Sequence, residues 1–513
     1  MLTRLHVKGF RNLQDVEIRF GPLTCFVGAN GSGKTNLMDA VRFLNLLSRY
    51  PIEEAARRLT SLDACQGNIE NLFTKFHDYM APEIHLEADM ILNREVEDDL
   101  GMQVEASTSS VRYSVTLKLF WEKMKPSLHL FHESLEPITL KETRREIGFS
   151  CSRTFKDSVI TGRRAGPFIS TGGEPDNPEI RVHQEGHSSK VIPAMRSHWT
   201  VLGGSAVGDF PTILATVREI RSWRFFHLEP SALARPSHRE DMQELDATGG
   251  RLSSALERIR SSAFGGMSAE KRAEGGYQAL KNLSARLSGF IGRNVQLRLQ
   301  LDQESDTVRP AVEGDDATPH PLSGGMLRYL ALATLLENPE GNSLLAIEEP
   351  ENGIHPSGLA ELARLLEDLA VDPHIPVGLK NPLRQVLLTT HSPIVLQCLR
   401  SDELVYLERI HHKGTYFQGE VAEVRVSEDG WRNKAQKGSK PLRDEHVRPY
   451  YHVPGKRAEQ TAFDFKSGHE REGDNEQDEQ NEQNAQNVQN VQEGSGKREG
   501  DDNQEGDQIP EES

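Results

Sequence analysis

The eight residues GANGSGKT, Gly28 to Thr35, constrain the fold of this chain more than any other stretch. They match the phosphate-loop pattern G-x-x-x-x-G-K-[ST] in full, and this pattern needs a strand before it and a helix after it. PLTCFV, which precedes the loop, is a near-continuous apolar run typical of a buried strand, and apolar residues recur at helical spacing from about Lys34 to Arg49. We therefore expect a strand, a phosphate loop and a helix in this order.

Several features of this loop suit it to hold the phosphates of a nucleotide. Its glycines let backbone N–H groups turn inward on a phosphate chain, and the start of the following helix adds donors and partial positive charge. Lys34 would reach the β- and γ-phosphates, and the Thr35 hydroxyl would bind Mg²⁺. The alternative, a chance Gly-rich turn, does not account for the flanking strand and helix. The predicted nucleotide-binding loop is Gly28, Ala29, Asn30, Gly31, Ser32, Gly33, Lys34 and Thr35.

Two apolar segments in the second half of the chain end in side chains that suit hydrolysis. SLLAIEE ends in Glu348 and Glu349, of which one can hold Mg²⁺ and the other can orient and deprotonate the attacking water. QVLLTTH ends in His391, which would point into the same crevice if the two strands are neighbours and could donate a hydrogen bond to the γ-phosphate. The alternatives are a solvated strand end and a structural histidine. The two carboxylates and the histidine form the predicted catalytic group, with Glu348 also a metal ligand.

A second Gly-rich turn begins the helix predicted from LSGGMLRYLALATLL, Leu322 to Leu336. Ser323 can cap this helix, and Gly324 and Gly325 lack the β-carbons that would keep a phosphate away from the helix start. The alternative is a helix that merely starts at Ser-Gly-Gly. Nothing in the turn itself explains why one chain carries two candidate phosphate sites.

In sequence order, GANGSGKT, LSGGM, LLAIEEPENGIHP and TTHSP resemble the motifs of the ATP-binding-cassette ATPases. In that class LSGG contacts the nucleotide held by the phosphate loop of a second subunit, which would explain the two Gly-rich turns. The opening LTRLHVKGFRNLQDVEIRF is similar to the RecF, SMC and OLD-type group of these ATPases. Leu322 lies 287 positions after Thr35, a long gap that implies a large insertion within the ATPase head.

The resemblance implies further residues, cofactors and partners. It puts Arg11 near the nucleotide, with a solvated turn arginine as the alternative, and it makes Gln66 the candidate for the glutamine that senses Mg²⁺. It implies ATP and Mg²⁺ as cofactors, an ATP-dependent homodimer, and double-stranded DNA as a partner in repair or recombination. A second hypothesis is a nucleotide-gated switch that controls a protein partner, such as a defence nuclease or a repair factor.

Direct sequence evidence for DNA binding is limited to basic segments. These are Arg144-Arg145, Arg163-Arg164 and Arg218 to Arg224, the last with Trp223 and Phe225. They can contact phosphates, or they can form an ordinary solvated face. The pair His411-His412 has no matching Cys or His cluster, so we expect no metal site there.

These patterns predict an α/β P-loop NTPase fold of the ATP-binding-cassette type, because helices alternate with apolar strands between Leu322 and Leu399 and favour a parallel sheet. Residues 82–160 alternate like antiparallel strands, residues 161–198 are expected to be loops, and the pattern fades after Leu407. The predicted parts are the N-terminal half of a split head at 1–95, an inserted strand-rich and helical region at 96–300, the C-terminal half at 301–410, an extension at 411–465 and a disordered acidic tail at 466–513.

Composition limits the class of protein. Of the net charge of −17, the residues from Ser467 to Ser513 carry −12, so the acidity of the whole chain does not exclude a nucleic-acid partner for its body. This Glu/Gln/Asn-rich tail cannot bury enough apolar surface to offset its ordering entropy. Four scattered cysteines, the lack of a long apolar run and a start without an apolar signal core predict buried free thiols in a cytoplasmic protein with no membrane span.

Overall fold

The computed structural model describes residues 1–442 apart from 62–67, 77–78, 99, 123–124, 175–176, 184–189, 205–209, 239–242, 262–268, 315–317, 338–342, 414–417 and 436–439. Gln66 and the predicted tail at 466–513 lie outside the described residues. All described residues belong to one structural unit, Met1–Lys456. The boundaries at 95, 300 and 410 stay a prediction.

The strands, numbered along the chain, are β1 Leu2–Phe10, β2 Leu13–Arg19, β3 Leu23–Val27, β4 Lys75–Phe76, β5 Tyr79–Met80, β6 Glu83–Ile91, β7 Glu95–Glu97, β8 Gln103–Glu105, β9 Ser110–Glu122, β10 Lys125–Pro137, β11 Ile169–Glu174, β12 Asn177–Val182, β13 Lys190–Pro193, β14 Arg224–Phe226, β15 Ser237–His238, β16 Gln296–Asp302, β17 Thr307–Glu313, β18 Pro319–Pro321, β19 Leu344–Glu348, β20 Gln385–Thr389, β21 Leu404–Lys413, β22 Gln418–Ser427 and β23 Lys440–Leu442.

The α-helices are α1 Lys34–Leu47, α2 Ile52–Ser61, α3 Leu140–Glu146, α4 Arg153–Val159, α5 Val201–Gly204, α6 Pro211–Ser222, α7 Pro230–Leu233, α8 Leu252–Ser261, α9 Ala269–Ile291, α10 Gly324–Leu336, α11 Leu359–Leu369, α12 Pro393–Cys398 and α13 Trp431–Ala435.

A seven-stranded sheet forms the centre of the fold, in the order β14-β19-β20-β3-β21-β22-β23. The first five strands are parallel, with Phe226 opposite Ile347, Ile347 opposite Leu388 and Leu388 opposite Cys25. A parallel sheet is covered on both faces, and β3, β19 and β20 are almost wholly buried. The predicted parallel sheet is confirmed, and β19, which ends in Glu348, is the neighbour of β20, which ends two residues before His391.

Successive side chains of these strands enter different hydrophobic cores, because they point to opposite faces of the sheet. Phe26, Ala346 and Leu387 pack in the core that contains the apolar face of α1. Val27 and Ile347 pack in the core formed by α10 and α11. The central sheet therefore lies between two layers. The carboxyl ends of β3, β19 and β20 lie side by side, and the sheet edge named below is the border that these strand ends form.

An antiparallel sheet of eight strands packs over α1, in the order β13-β12-β11-β10-β9-β6-β1-β2. The hairpin of β1 and β2 pairs Phe10 with Leu13, so Arg11 and Asn12 form its turn. β9 and β10 have 13 residues each and pair along most of their length. A smaller sheet, β15-β17-β16 with β18, lies later in the chain. The antiparallel sheet brings the opening hairpin to the side of the phosphate loop.

Two segments differ from the sequence-based expectation. Residues 161–198, expected to be loops, contain β11, β12 and β13, which extend the antiparallel sheet. Their strands are short and flanked by glycine and proline, so the local pattern is weak although Ile180 and Val182 are buried. Beyond Leu407, where the pattern fades, β21 and β22 pair over nine residue positions. In both segments pairing with a neighbouring strand decides the structure, and a local pattern does not show that pairing.

The described cysteines are free thiols with different degrees of burial. Cys25 is buried in β3, Cys151 is half-buried and Cys398 is exposed at the end of α12. The prediction of buried thiols is therefore right for Cys25 and wrong for Cys398. Burial raises the pKa of the Cys25 thiol well above its usual value. Among the helices of the described residues, none combines the length and the apolar character needed to cross a membrane.

Candidate nucleotide-binding site

The phosphate loop joins β3 to α1 in the predicted order, and its glycines are required by close neighbours. Gly28 has a φ of 154°, and a β-carbon there would lie 2.2 Å from the Leu407 carbonyl oxygen. Gly33, the residue before α1, has a φ of 110° and lies against the Asn12 side chain. Only glycine fits both positions. The loop is thus shaped on one side by β21 and on the other by the turn between β1 and β2.

Lys34 is buried in this loop among backbone oxygen atoms. Its Nζ donates hydrogen bonds to the carbonyl oxygens of Gly28 at 2.6 Å and Ala29 at 3.0 Å. Burial lowers the pKa of Lys34, and the negative charge of Glu349 opposes this effect. The Ser32 hydroxyl is buried in the same loop and has no hydrogen-bond partner among the residues that the structure describes. A buried ammonium and an orphaned hydroxyl beside a helix start fit the phosphate groups of a nucleotide.

Arg11 lies against the first turns of α1. Its Nη1 contacts the Asn36 Oδ1 at 3.1 Å and the Asp39 Oδ2 at 2.7 Å. Only 12% of the Arg11 side chain is exposed, and its φ of 50° is unusual for a residue with a β-carbon. These contacts do not match the alternative of a solvated turn arginine. Thr35 is exposed at the start of the same helix, two residues from the phosphate-loop Gly33.

The predicted carboxylate and histidine meet at the ends of β19 and β20. Glu349 follows the last residue of β19 with a φ of 44°, a conformation that costs about 1–3 kcal/mol outside glycine. Its N–H donates to the Thr389 carbonyl oxygen at 3.0 Å, which holds the strained turn against β20. The Glu349 Oε1 lies 3.4 Å from the His391 Nε2, and its Oε2 accepts a hydrogen bond from the Asn352 Nδ2 at 2.6 Å.

Glu348 faces two side chains that the sequence analysis misses. Its Oε1 lies 3.9 Å from the Arg42 Nη2, and its Oε2 lies 3.6 Å from the His227 Nδ1. Arg42 also lies 3.5 Å from Asp39, the carboxylate that binds Arg11. Asp39 therefore links the opening hairpin to the acidic strand end through two arginines. No local pattern marks either residue: Arg42 lies on α1, and His227 comes near Glu348 because β14, which it follows, pairs with β19.

Glu351 supports the backbone of His391 and is also missed by the sequence analysis. Its Oε1 accepts hydrogen bonds from the Thr390 Oγ1 at 2.6 Å and from the His391 N–H at 2.9 Å. Its Oε2 is buried, and within the described part of the chain it has no hydrogen-bond partner. The acid is visible in EEPE, but its spacing does not distinguish it from an ordinary loop residue. Glu351 thus holds Thr390 and the backbone of His391, the two residues that follow β20.

The residues predicted to bind Mg²⁺ are oxygen donors, the ligand type that this ion prefers. Thr35 offers a hydroxyl and Glu348 a half-buried carboxylate, whereas Gln66 lies outside the described residues. Within the described part of the chain, including His411-His412, no group of three or more His, Cys, Asp or Glu side chains is arranged to hold a metal ion. An Mg²⁺ ion at this edge would take its other ligands from phosphate and water.

The second Gly-rich turn and the phosphate loop pack against different parts of the chain. Ser323 caps α10, since its Oγ accepts a hydrogen bond from the backbone N–H three residues later at 3.3 Å. A β-carbon on Gly325 would lie 2.7 Å from the Gly353 carbonyl oxygen, but Gly324 has ordinary space beside Pro230. Packing within the same chain therefore already explains Gly325. Ser323 and Gly324 are exposed and accessible to a ligand.

The basic segments have structural partners. Arg221 donates through Nε and Nη2 to the C-cap carbonyl oxygen of α1, at 2.8 and 2.6 Å. Arg224 donates to a backbone carbonyl oxygen at 2.8 Å, and Trp223 between them is 1% exposed. Arg144 pairs with a carboxylate at 2.6 Å, and the Arg164 Nε donates to a carbonyl oxygen at 3.1 Å. These four arginines have partners within the chain, a role that neither the predicted phosphate contact nor the alternative of a solvated face included.

Two family models match separate parts of the chain. The model described as "AAA ATPase domain" matches residues 1–134, which include the phosphate loop. The model described as "AAA domain, putative AbiEii toxin, Type IV TA system" matches residues 213–397, which include the second Gly-rich turn, the acidic strand end and His391. Each model thus covers one of the two groups of residues that the fold brings to the same sheet edge.

Curated relatives match over short segments. The DNA replication and repair protein RecF of Phocaeicola vulgatus is 46% identical over 46 residues, 9% of this chain and 12% of that protein. The OLD nuclease of Thermus scotoductus is 54% identical over 41 residues, 8% of each. The chain thus spans about a tenth of the length of these relatives. The SMC head domain from Thermotoga maritima aligns with a TM-score of 0.36 at 14% identity, over 83% of this chain and 99% of that chain.

Proposed function

We propose that this chain is an ATPase of the ATP-binding-cassette type similar to RecF and OLD proteins, and that it binds ATP with Mg²⁺ and hydrolyses it as an ATP-dependent homodimer acting on DNA in repair or recombination. The observation that carries this proposal is the meeting of the Lys34 loop with Glu349 and His391 at one edge of the parallel sheet. Open α/β sheets bind their ligands at this edge.

ATP binding is assigned to the phosphate loop and its neighbours. Lys34 would exchange its two carbonyl hydrogen bonds for phosphate oxygens, and the orphaned Ser32 hydroxyl would gain a partner. The N–H groups at the start of α1 would donate to the same phosphates. Arg11, held by Asn36 and Asp39, adds positive charge beside them.

Hydrolysis is assigned to the ends of β19 and β20. Mg²⁺, when bound, would neutralise phosphate charge and polarise the reacting phosphoryl group. Thr35 and Glu348 would hold that ion. Glu349, oriented by Asn352, would accept the proton of the attacking water. His391 would donate a hydrogen bond to the γ-phosphate from a position set by its backbone contact with Glu351.

The placement of the second Gly-rich turn supports the proposed dimer. Ser323 and Gly324 are exposed, and their turn packs beside Pro230 and Gly353, whereas the phosphate loop packs beside Leu407 and Asn12. In a dimer with two-fold symmetry, the same two surfaces meet twice. Ser323 and Gly324 of each protomer would then cover the ATP on the phosphate loop of the other, so each dimer would hold two ATP molecules.

A second function is favoured by the partners of the basic segments. Because Arg221 and Arg224 are bonded to the backbone, they are poor candidates for a DNA surface. The alternative is a nucleotide-gated switch that holds or releases a protein effector, such as a nuclease. Both functions use the same ATP site, but only the first one requires DNA to change the rate of turnover.

The test is the ATPase rate with and without duplex DNA, together with the mass in solution with and without ATP. DNA repair predicts DNA-stimulated turnover that weakens steeply with added salt, because phosphate contacts release counterions. The switch predicts slow turnover that DNA leaves unchanged. The Lys34→Ala variant controls for contaminating ATPases. Failure of the purified chain to bind ATP would overturn both functions, and a mass that ATP does not change would overturn the dimer.

A further inference from the structure

Strand β21 continues past the end of its neighbour β3 and runs along the phosphate loop. The last pair between the two strands is Tyr406 with Val27, the residue before the loop. The next residue, Leu407, presents its carbonyl oxygen to Gly28. Two residues further on, the Arg409 Nη1 lies 3.7 Å from where a β-carbon on Gly31 would be. A guanidinium group from the second half of the chain therefore borders the middle of the loop.

The environment of Arg409 leaves its charge available. Its side chain is 52% exposed, and its Nη1 forms an ion pair at 3.1 Å with Glu420 on β22, which is 55% exposed. Exposed ion pairs contribute about 0–1 kcal/mol to stability, so this pair is easily exchanged for another. Arg409 differs in this respect from Lys34, which is buried and hydrogen-bonded to the loop itself.

We propose that Arg409 is a further phosphate-binding cation of this site and raises its preference for nucleoside triphosphates over diphosphates. The proposal rests on the nucleotide-binding function proposed above. Guanidinium groups bind phosphate oxygens through charge-assisted hydrogen bonds, and Gly31 has no side chain to keep Arg409 from the loop. Because the attraction grows with phosphate charge, Arg409 acts strongly on ATP, less on ADP and not on adenosine.

Equilibrium titration with ATP, ADP and adenosine, in EDTA to prevent hydrolysis, tests this assignment. Arg409→Ala is expected to weaken ATP binding about fivefold to tenfold and ADP binding about twofold, with adenosine binding unchanged. Arg409→Lys keeps the charge and is expected to recover about half of the loss on a logarithmic scale. Glu420→Gln releases Arg409 and is expected to tighten ATP binding about twofold. The losses should shrink as salt is added.

The matched control is Arg57→Ala, which removes another exposed arginine that pairs with a carboxylate, Glu53, at 3.1 Å on α2. An ATP affinity of Arg409→Ala equal to that of Arg57→Ala would overturn the proposal, as would an equal loss for adenosine. Lys34→Ala in the same titration distinguishes failure of the proposed nucleotide site from failure of the role proposed for Arg409. If Lys34→Ala still binds ATP normally, the proposed nucleotide site fails, whereas a loss for Lys34→Ala alone rejects only the role of Arg409. Melting temperatures verify that each variant is folded.

Discussion

Lys34→Ala is the substitution whose effect on ATP binding can be worked most directly from the structure. Lys34 is 7% exposed, and its ammonium makes two hydrogen bonds to carbonyl oxygens of its own loop. ATP would replace these neutral oxygens with charged phosphate oxygens. Each exchange strengthens a contact by about 1–2 kcal/mol, which gives about 2–4 kcal/mol for the two contacts. We therefore expect the variant to bind ATP roughly 30- to 700-fold more weakly.

The assay is calorimetric titration with ATP in EDTA, so that binding is measured without hydrolysis. Lys34→Arg serves as the charge-preserving comparison, and thermal melting shows whether each variant keeps its fold. Removal of a buried ammonium also removes its desolvation cost, so we expect the melting temperature to change little. A folded Lys34→Ala variant whose Kd for ATP stays within about threefold of wild type would refute the reasoning.

Glu349→Gln is expected to keep ATP affinity but lower turnover at least about 100-fold, and to trap a dimer visible by light scattering, because the base is lost. If Glu348→Gln shows this phenotype and Glu349→Gln does not, Glu348 is the base and Glu349 is the metal ligand. Glu351→Ala is expected to lower kcat about tenfold with little change in KM, because the His391 backbone loses its support, whereas Glu351→Gln keeps an acceptor and most of the rate; equal rates would reject this role. Burial raises the pKa of Glu133 from 4.5 to about 7, so the folded state binds this proton more tightly than the unfolded state. The contribution of Glu133 to the free energy of unfolding is therefore complete below about pH 4.5, and it falls by about 3 kcal/mol as the pH rises to 7. Denaturant titrations should show this fall in the wild type and not in Glu133→Gln, and parallel curves would contradict it.

The parts of the site that lie in continuous motifs could be predicted from the sequence. The phosphate loop and helix α1 lie where the pattern expects them, with the helix ending at Leu47 rather than near Arg49. The apolar runs before Glu348 and His391 indicate neighbouring parallel strands, because only a doubly covered sheet buries every side chain of a strand. For these elements, the pattern of apolar residues and the order of strands and helices along the chain are enough to predict the structure.

The parts that depend on contacts between distant segments could not be predicted. Arg11 binds Asp39 only because the antiparallel sheet lies over α1. Arg409 reaches Gly31 because β21 pairs with β3, and no motif marks that strand. Gly325 shows that a motif can also be explained by packing. The sequence predicts that this glycine admits a phosphate, but in the structure it packs against Gly353 of its own chain. These contacts depend on strand order and helix packing, which local sequence patterns do not predict.

The central claim is that each ATP site is shared between two protomers, and mixing two defective variants tests it most directly. Lys34→Ala lacks the phosphate contact, and Ser323→Arg blocks the exposed turn of α10, so each variant alone is expected to be inactive.

In a mixed dimer, one site carries both defects and the other carries neither. The ATPase rate of an equal mixture should therefore rise to about a quarter of the wild-type rate per protomer, for random pairing and independent sites. A mixture as inactive as its components, or full activity of Ser323→Arg alone, would contradict the shared site.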